Sequence, residues 1–180
     1  MLYSIKRVFK NTLVYRLWSL VVISSNHSNE ENKLTDAQRK DRMANVNKII
    51  VHDEAKDIED FIIRHQWTME RTGSGLRYQV YEKANGKSPM VKVNVSISYK
   101  VFLLDGTLCY EADEKHPLKF MMGQGKQTSG LEEGLQMMGE GDRARFVVPS
   151  HLAFGMAGDG DKIQAGSPLY YDVKLLSFNQ

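Results

Sequence analysis

The residues that could carry chemistry form no complete nucleotide, metal or acid–base motif. Residues 123–128 read GQGKQT, but a phosphate-binding P-loop needs a glycine where Phe120 stands and a serine or threonine directly after Lys126. Residues 159–161, Asp-Gly-Asp, resemble the start of a calcium loop without its bidentate glutamate, so we interpret them as a solvated turn. The five histidines lack the paired spacing of a zinc hydrolase. We therefore expect no metal and no cofactor.

Nucleophilic catalysis and nucleic acid binding are also unsupported by the sequence. Cys109 is the single cysteine, which excludes an internal disulfide, and no histidine lies close to it in the sequence. We interpret Cys109 as a small apolar residue and His151 as a structural histidine. The 24 basic and 22 acidic residues balance to a net charge of +2, which is too even to indicate a nucleic acid partner.

The chain is long enough for one ordinary domain with an additional arm. It has 180 residues, of which 42% are hydrophobic and 26% charged, as in soluble globular proteins. Residues 1–34 begin with Lys6, Arg7 and Lys10, followed by a short apolar run at 17–23 and two serines. This order resembles an export signal, although the run is shorter than the roughly 20 residues that span a bilayer. We predict an exported protein of the cell envelope or periplasm whose N-terminus associates with the membrane; the alternative is an ordinary N-terminal helix or an unstructured start.

Residues 35–66 are predicted to form a helical arm. Thr35 and Gln38 have the spacing of a capping box, which marks the start of a helix. Two groups of apolar residues follow at helical spacing. The first group is Met43, Val46 and Ile50; the second, after a charged stretch, is Ile58, Phe61 and Ile62. Two short helices and one helix with a joint near Asp53 both fit this pattern. The apolar faces are expected to pack on the protein's own sheet or, alternatively, on a second copy of the chain, which would give self-association.

From residue 67 onward, apolar and polar residues alternate with the period of two that is typical of strands. The predicted strands cover residues 67–71, 76–82, 91–101, 143–149 and 169–178. The first two flank a Thr-Gly-Ser-Gly turn, which predicts a hairpin. The third is the longest regular alternation in the chain and predicts a half-buried strand.

One short helix is expected among these strands, at residues 129–138. Ser129 and Glu132 have the spacing of a second capping box, and Leu131 and Leu135 share a face. Strands and helices do not alternate regularly, so the sequence predicts an α+β fold rather than a parallel sheet. We expect residues 67–180 to form one domain, in which an antiparallel sheet wraps around the short helix.

Six segments of the second half, taken in order, resemble one protein family. They lie at residues 99–107, 117–123, 129–135, 138–142, 148–155 and 169–176, and they include the sequences LLDGT, SGLEEGL, VPSHLAFG and YYDVKLL. Their order and spacing resemble the FKBP family of peptidyl-prolyl cis-trans isomerases, the macrolide-binding immunophilins. The preceding arm is similar to that of envelope FKBPs, including gliding-motility-associated lipoproteins. The resemblance implies an enzyme that interconverts X–Pro bonds and takes proline-containing polypeptides as clients.

The resemblance also implies an apolar cup that would hold the proline ring. Its catalytic residues would be Tyr99, Leu131 and Phe154. Its substrate-binding residues would be Tyr110, Leu118, Phe120, Thr128, Ile163 and Tyr171. The Thr128 backbone amide would hold a substrate carbonyl, and Leu131 would form the floor of the cup. The alternative is that the apolar residues simply fill the core.

Several positions depart from the residues that are usual in the family. Leu131 stands where a tryptophan floor is usual, Phe154 where a tyrosine supplies a hydroxyl, and Leu118 where an aromatic is usual. The Ile-Pro-Pro loop is replaced by Ile-Gln-Ala at 163–165. The family's Phe-Asp pair falls on Cys109 and Tyr110 without a gap, or on Tyr110 and Glu111 if a one-residue bulge is present. We therefore predict weakened isomerase activity and poor macrolide affinity.

A site without titratable groups suits prolyl isomerisation. The barrier to rotation about a peptide bond is about 18–20 kcal/mol, because twisting removes the amide resonance. A catalyst needs only to hold the twisted amide more tightly than the planar one. Three functions remain open on the sequence: an isomerase for unfolded or exported proteins, a binding module or chaperone that holds proline segments without turnover, and an assembly subunit of an envelope machine that uses the arm as its contact.

Overall fold

The computed structural model describes residues 35–179, with the backbone alone at residues 46–52. The predicted export segment therefore lies outside the described residues. In the described part, no helix combines the length and the apolar character needed to cross a membrane. The described residues divide into two units, with the boundary between Ile50 and Val51.

The described residues contain two α-helices, a short 3₁₀-helix and seven strands. In chain order these are α1 (Asp36–Arg64), β1 (Glu70–Arg71), β2 (Arg77–Glu82), β3 (Asn94–Leu103), β4 (Leu108–Ala112), β5 (Leu118–Met121), α2 (Ser129–Gln136), β6 (Arg143–Val148), the 3₁₀-helix Ser150–Leu152 and β7 (Leu169–Asn179).

The seven strands form one sheet, in which each pairing is antiparallel. Their order is β1-β2-β6-β7-β3-β4, and β5 pairs with the first half of β3. The long strand β3 pairs with β7 along one edge and with β4 and β5 along the other. The predicted α+β class with an antiparallel sheet is confirmed, as is the hairpin of β1 and β2.

Helix α2 packs on the inner face of the sheet through residues that alternate along the strands. In β7, the residues Leu169, Tyr171, Val173 and Leu175 are buried in sequence steps of two, as expected when one face of a strand meets the core. The helix buries Leu131 and Leu135 against this face. Each fully buried side chain of this kind contributes about 1.5–3 kcal/mol. This packing fixes the position of Leu131 relative to the sheet.

Residues Asp36–Arg64 form one helix in the structure, α1, rather than two. Its predicted cap is confirmed, because the Thr35 amide donates to Gln38 Oε1 (2.9 Å) and the Gln38 amide donates to Thr35 Oγ1 (3.3 Å). Within the unit 51–180, the predicted second apolar group packs with Val147 of β6. Phe146 and Val148, the neighbours of Val147, belong to the inner core, so Val147 lies on the outer face.

Two polar contacts fasten the same part of α1. Glu59 forms an ion pair with Arg77 of β2 at 2.6 Å. The Glu54 carboxylate accepts hydrogen bonds from the Ser150 amide and, at 2.8 Å, from the Ser150 hydroxyl. Both contacts lie within the unit 51–180, to which the second half of α1 belongs. The predicted domain boundary at residue 67 stays a prediction. Of the first apolar group, Met43 is 71% exposed.

The predicted capping box of α2 is wrong. The N-cap is Thr128, and its side chain makes no capping hydrogen bond. The Ser129 hydroxyl instead donates to the Leu152 carbonyl (3.3 Å), while the Glu132 carboxylate accepts from the Gly123 amide (2.8 Å). Both side chains thus bind distant backbone, which holds the loop before α2 in place.

Candidate functional site

The apolar residues predicted to form the cup all lie in one hydrophobic cluster. Four of them are buried, which are Phe120, Leu131, Ile163 and Tyr171. Four more are half-buried and pack against the cluster, which are Tyr99, Tyr110, Leu118 and Phe154. They come from β3, β4, β5, α2, β7 and the loop between β6 and β7, so only the folded chain brings them together. Their individual roles stay predictions.

Leu131, the predicted floor, sits on α2 where the helix comes closest to the sheet. A Cβ atom on the preceding residue, Gly130, would lie only 2.4 Å from Val148 Cγ1. One turn later, a Cβ atom on Gly134 would lie 2.7 Å from the ring of Phe146. The two glycines therefore let the helix backbone approach β6 more closely than a side chain would permit. Leu131 itself is only 1% exposed.

The aromatic wall of the cluster is formed by neighbouring strands. The rings of Tyr99 and Tyr171 stack with centroids 6.4 Å apart and an angle of 29° between their planes. Burial raises the pKa of Tyr171 to about 12. Burial also raises the pKa of Tyr99 and that of the Cys109 thiol. These groups are neutral at pH 7, so none of them serves as a base there.

Thr128 carries the one backbone donor that the sequence assigned to the site. The residue is extended (φ −65°, ψ 142°) directly before α2, and its carbonyl accepts the Glu132 amide at 3.2 Å. Its own amide has no acceptor among the described residues, as is usual for donors at the start of a helix. The Thr128 hydroxyl is buried and also lacks a hydrogen-bond partner in this part of the chain. A donor is thus available next to the apolar cluster.

The pairing of β3 with β4 contains a one-residue bulge at Cys109. Val101 pairs with Tyr110, whereas the next residue of β3 pairs with Leu108. Cys109, the extra residue, is 2% exposed and belongs to the core, and Tyr110 is half-buried at its edge. Glu111 is exposed and lies 3.5 Å from Lys100. The bulge belongs to the β3–β4 pairing, and which residues match the family's Phe-Asp pair stays a prediction.

The loop between β6 and β7 contributes contacts that sequence reasoning missed. Tyr110 Oη donates to Asp159 Oδ2 at 2.5 Å and lies 3.3 Å from Asp161 Oδ2. Asp159 Oδ1 accepts the backbone amides of Asp161 (2.9 Å) and Ile163 (2.8 Å). The hydrogen bond from Tyr110 lowers the pKa of Asp159. Residues 160 and 161 are exposed, as expected of a solvated turn, but Asp159 is also bonded on both carboxylate oxygens.

Lys162 adds a second link between this loop and β4. Its Nζ atom donates to the Cys109 carbonyl at 2.8 Å and lies 5.0 Å from the centre of the Tyr110 ring. The Asp-Gly-Asp sequence was the available signal for the turn. The sequence could not predict that this turn contacts Tyr110, since Tyr110 is about fifty residues away from it in the chain.

Two of the surface hollows in the unit 51–180 are not lined by the floor of the cup. The first, of about 440 Å³, is lined by Asp57, Asp60 and Arg64 of α1 together with the β3–β4 turn. The second, of about 330 Å³, is lined by Tyr99 and mainly by charged residues, which are Lys100, Asp113, Glu114, Arg143, Asp172 and Lys174. Leu131 lines neither of them. Leu131 itself is 1% exposed, whereas Tyr99, Tyr110, Leu118 and Phe154 are only half-buried.

The fold and the site together define an α+β domain with an apolar, uncharged cluster beside a free backbone donor. The family model for the FKBP-type peptidyl-prolyl cis-trans isomerase matches residues 86–176, half of the chain. The chain belongs to this family.

Several known proteins are similar to parts of the chain. A probable FKBP-type peptidyl-prolyl cis-trans isomerase FkpA of Neisseria meningitidis is 36% identical over 110 residues, which cover 60% of this chain and 39% of that protein. The macrophage infectivity potentiator of Trypanosoma cruzi is 37% identical over 106 residues, 58% of this chain and 53% of that protein. The chain thus spans about two fifths to one half of these relatives. The crystal structure of FkpA from Escherichia coli superposes with a TM-score of 0.63 at 25% identity, covering 98% of this chain and 92% of that chain.

Proposed function

We propose that this protein is a peptidyl-prolyl cis-trans isomerase of weakened activity that acts on X–Pro bonds of unfolded or exported proteins. The observation that carries the proposal is the single cluster of eight apolar cup residues beside an unbonded Thr128 amide, in a chain of the FKBP family. Membership of a family named for this reaction supports the activity. The clients are proline-containing polypeptides.

The chemistry follows from the electronic structure of the amide. A planar amide is strongly polar because the nitrogen lone pair is delocalised onto the carbonyl oxygen, and twisting the bond removes that delocalisation. An apolar surrounding therefore disfavours the planar form more than the twisted one. Stabilising the twisted amide by about 5 kcal/mol would accelerate rotation several thousandfold. This mechanism requires no proton transfer, which agrees with the neutral tyrosines of the cluster.

Each group of the site has a distinct part in this proposal. Leu131 and Tyr171 contact the proline ring, Tyr99 borders the rotating bond, and the Thr128 amide donates to the carbonyl on the fixed side of the bond. Holding one side of the bond while the other turns is what makes the bound geometry productive.

Two substitutions account for the weakened activity. Leu131 offers less apolar surface than the tryptophan that is usual at this position, and Phe154 has no hydroxyl with which to donate to the turning carbonyl. One neutral hydrogen bond contributes about 0.5–1.5 kcal/mol. Its absence alone lowers the rate by about twofold to tenfold.

A second function, binding of proline segments without turnover, is favoured by the covered floor. Leu131 is 1% exposed, so a proline ring reaches it only after neighbouring residues have moved. A cup that opens mainly to retain its ligand would act as a holding module or chaperone.

The test compares two truncations on the same helix in the full chain. Leu131→Ala removes the floor, while Leu135→Ala removes an equally buried leucine of α2 that is outside the predicted site. Both are expected to lose about 2–5 kcal/mol of stability. Isomerisation of a short X–Pro peptide and peptide binding are then measured in parallel, at a temperature where both variants are folded.

For an isomerase, the wild type accelerates exchange, Leu131→Ala loses most of the acceleration and Leu135→Ala retains it. For a holding module, the peptide binds without acceleration and Leu131→Ala weakens the binding. Equal losses in both variants, or neither binding nor acceleration by the wild type, would contradict the proposal.

Export to the cell envelope or periplasm and membrane association through the N-terminus belong to the same proposal. They rest on the basic and apolar pattern of residues 6–23. Self-association through residues 35–66 is supported by Met43, which is 71% exposed on α1. Sedimentation of the wild type and of Met43→Glu tests it, and a monomeric wild type would contradict it.

A further inference from the structure

The tip of the loop between β6 and β7 is tied to β4 by three side chains. The Tyr110 phenol donates to Asp159 at 2.5 Å, and Lys162 reaches back to the Cys109 carbonyl at 2.8 Å. The Lys162 ammonium also lies 5.0 Å from the centre of the Tyr110 ring, within the range of a cation–π contact. The two hydrogen bonds run between the same two segments, with one donor from each.

The loop itself is closed by its own backbone. The Gly166 amide donates to the Gly155 carbonyl (2.8 Å), and the Asp159 amide donates to the Ile163 carbonyl (3.0 Å). Asp159 Oδ1 additionally accepts the Ile163 amide at 2.8 Å. Residues 155–166 are therefore joined at both ends and across the tip, so contacts at the tip act on this loop as one piece.

The tied loop carries residues of the cup. Ile163 is 2% exposed within the cluster that holds Leu131, and Phe154 packs against the same cluster next to the start of the loop. In this state the floor is covered. A proline ring reaches Leu131 only if neighbouring residues move, since Leu131 is 1% exposed. The loop supplies part of the same cluster and is held at its tip by reversible polar contacts.

We propose that Tyr110, Asp159 and Lys162 form a latch that restricts the access of X–Pro segments to the cup. This inference rests on the proposed function and assigns Tyr110 a positioning role in place of direct substrate contact. If a ligand binds only the unlatched state, its apparent affinity is its intrinsic affinity multiplied by the fraction of molecules in that state. Weakening the latch raises the apparent affinity and kcat/KM toward X–Pro peptides.

Tyr110→Phe is the test variant, since it removes the phenol hydroxyl and keeps the ring. Asp159 is unsuitable, because its other oxygen holds the turn. Tyr78→Phe is the matched control: Tyr78 donates to Glu70 at 2.6 Å, also a phenol–carboxylate pair, on the β1–β2 hairpin. Lys162→Met removes the second link.

Cys109 supplies a readout that does not depend on activity. It is the only cysteine in the sequence, it is 2% exposed, and its carbonyl is the acceptor of Lys162. Its reaction with a thiol reagent reports how often the region next to the latch opens. Urea unfolding of each variant determines how much of the labelling comes from global unfolding.

We expect Cys109 to be labelled about threefold to tenfold faster in Tyr110→Phe and in Lys162→Met than in the wild type. A factor of this size corresponds to the loss of one partly exposed, charge-assisted hydrogen bond. Peptide kcat/KM rises by a similar factor, and Tyr78→Phe behaves as the wild type. Unchanged labelling would overturn the latch. Faster labelling with lower kcat/KM would overturn its restricting role, because the contacts would then build the substrate wall.

If the wild type binds an X–Pro peptide without turnover, the proposed catalysis is wrong, and the latch is then tested by comparing the peptide affinities of the variants. Tighter peptide binding by Tyr110→Phe, followed by NMR titration, then supports the latch, and equal affinity overturns it. No peptide binding by any of the four proteins would overturn both proposals.

Discussion

Gly130→Ala is the substitution that tests most directly how the floor of the cup is positioned. Gly130 precedes Leu131 on α2 and faces β6. An added Cβ atom would lie 2.4 Å from Val148 Cγ1, and 3.2 Å from both Cβ and the carbonyl oxygen of Leu152. Val148 is completely buried, so the clash cannot be relieved by rotating a side chain into solvent.

The expected cost follows from these distances. Carbon atoms pack at roughly 3.5–4.0 Å, so helix and strand must separate by about 1 Å. Overpacking of this kind costs about 1–3 kcal/mol. Alanine returns at most about 1 kcal/mol of helix propensity, and less near the first turn. The net loss of stability is about 1–2 kcal/mol. Since Leu131 moves with the helix, kcat/KM is expected to fall by about tenfold or more.

The assay is urea unfolding together with peptide isomerisation, and Gly73→Ala is the control. A Cβ atom on Gly73 would meet no atom within 4 Å, so that substitution is expected to be neutral or slightly stabilising. If Gly130→Ala were as stable and as active as Gly73→Ala, the close approach of α2 to the sheet would not determine the site.

Three further outcomes are expected. Phe154→Tyr should raise kcat/KM by about twofold to tenfold by adding a hydrogen-bond donor; an unchanged value would argue against the assigned contact. Phe61→Ala should cost about 3–5 kcal/mol in urea unfolding, because Phe61 is buried beside Val147, whereas Met43→Ala should cost almost nothing; equal effects would contradict the packing of α1. The hydrogen bond from the Lys174 ammonium lowers the pKa of Glu114 from its usual 4.5. This pair therefore stabilises the fold above pH 4.5, and its contribution is lost as the pH falls through the lowered pKa. The difference in unfolding free energy between the wild type and Glu114→Gln should vanish in acid, and a difference that persists there would refute the pairing.

The elements that follow from local pattern were predictable from the sequence. The alternation in β3 and β7 reflects the burial of one face of each strand, and that periodicity is written directly in the residues. The cup residues were located by family resemblance, and the structure places them in one cluster. Membership of a cluster does not establish a catalytic role, so the roles of Tyr99, Leu131 and Phe154 stay predictions.

What the sequence could not provide depends on contacts between distant segments. Ser129 has the spacing of a cap, but its hydroxyl bonds to Leu152, which only the folded chain brings near. The charged stretch in α1 resembled a helix break. In the structure it is part of the helix, and Glu54 within it binds Ser150. The bulge at Cys109 and the tie between Tyr110 and Asp159 likewise depend on tertiary pairing.

The central claim is that the apolar cluster lowers the barrier to rotation of an X–Pro bond. Two-dimensional exchange NMR on a short X–Pro peptide, with a catalytic amount of the full chain, measures this rotation directly. We expect cis–trans exchange that is faster than the uncatalysed rate in proportion to the protein added, together with shifts of the Thr128 amide signal. Exchange that stays at the uncatalysed rate while the peptide is bound at Thr128 would contradict the claim.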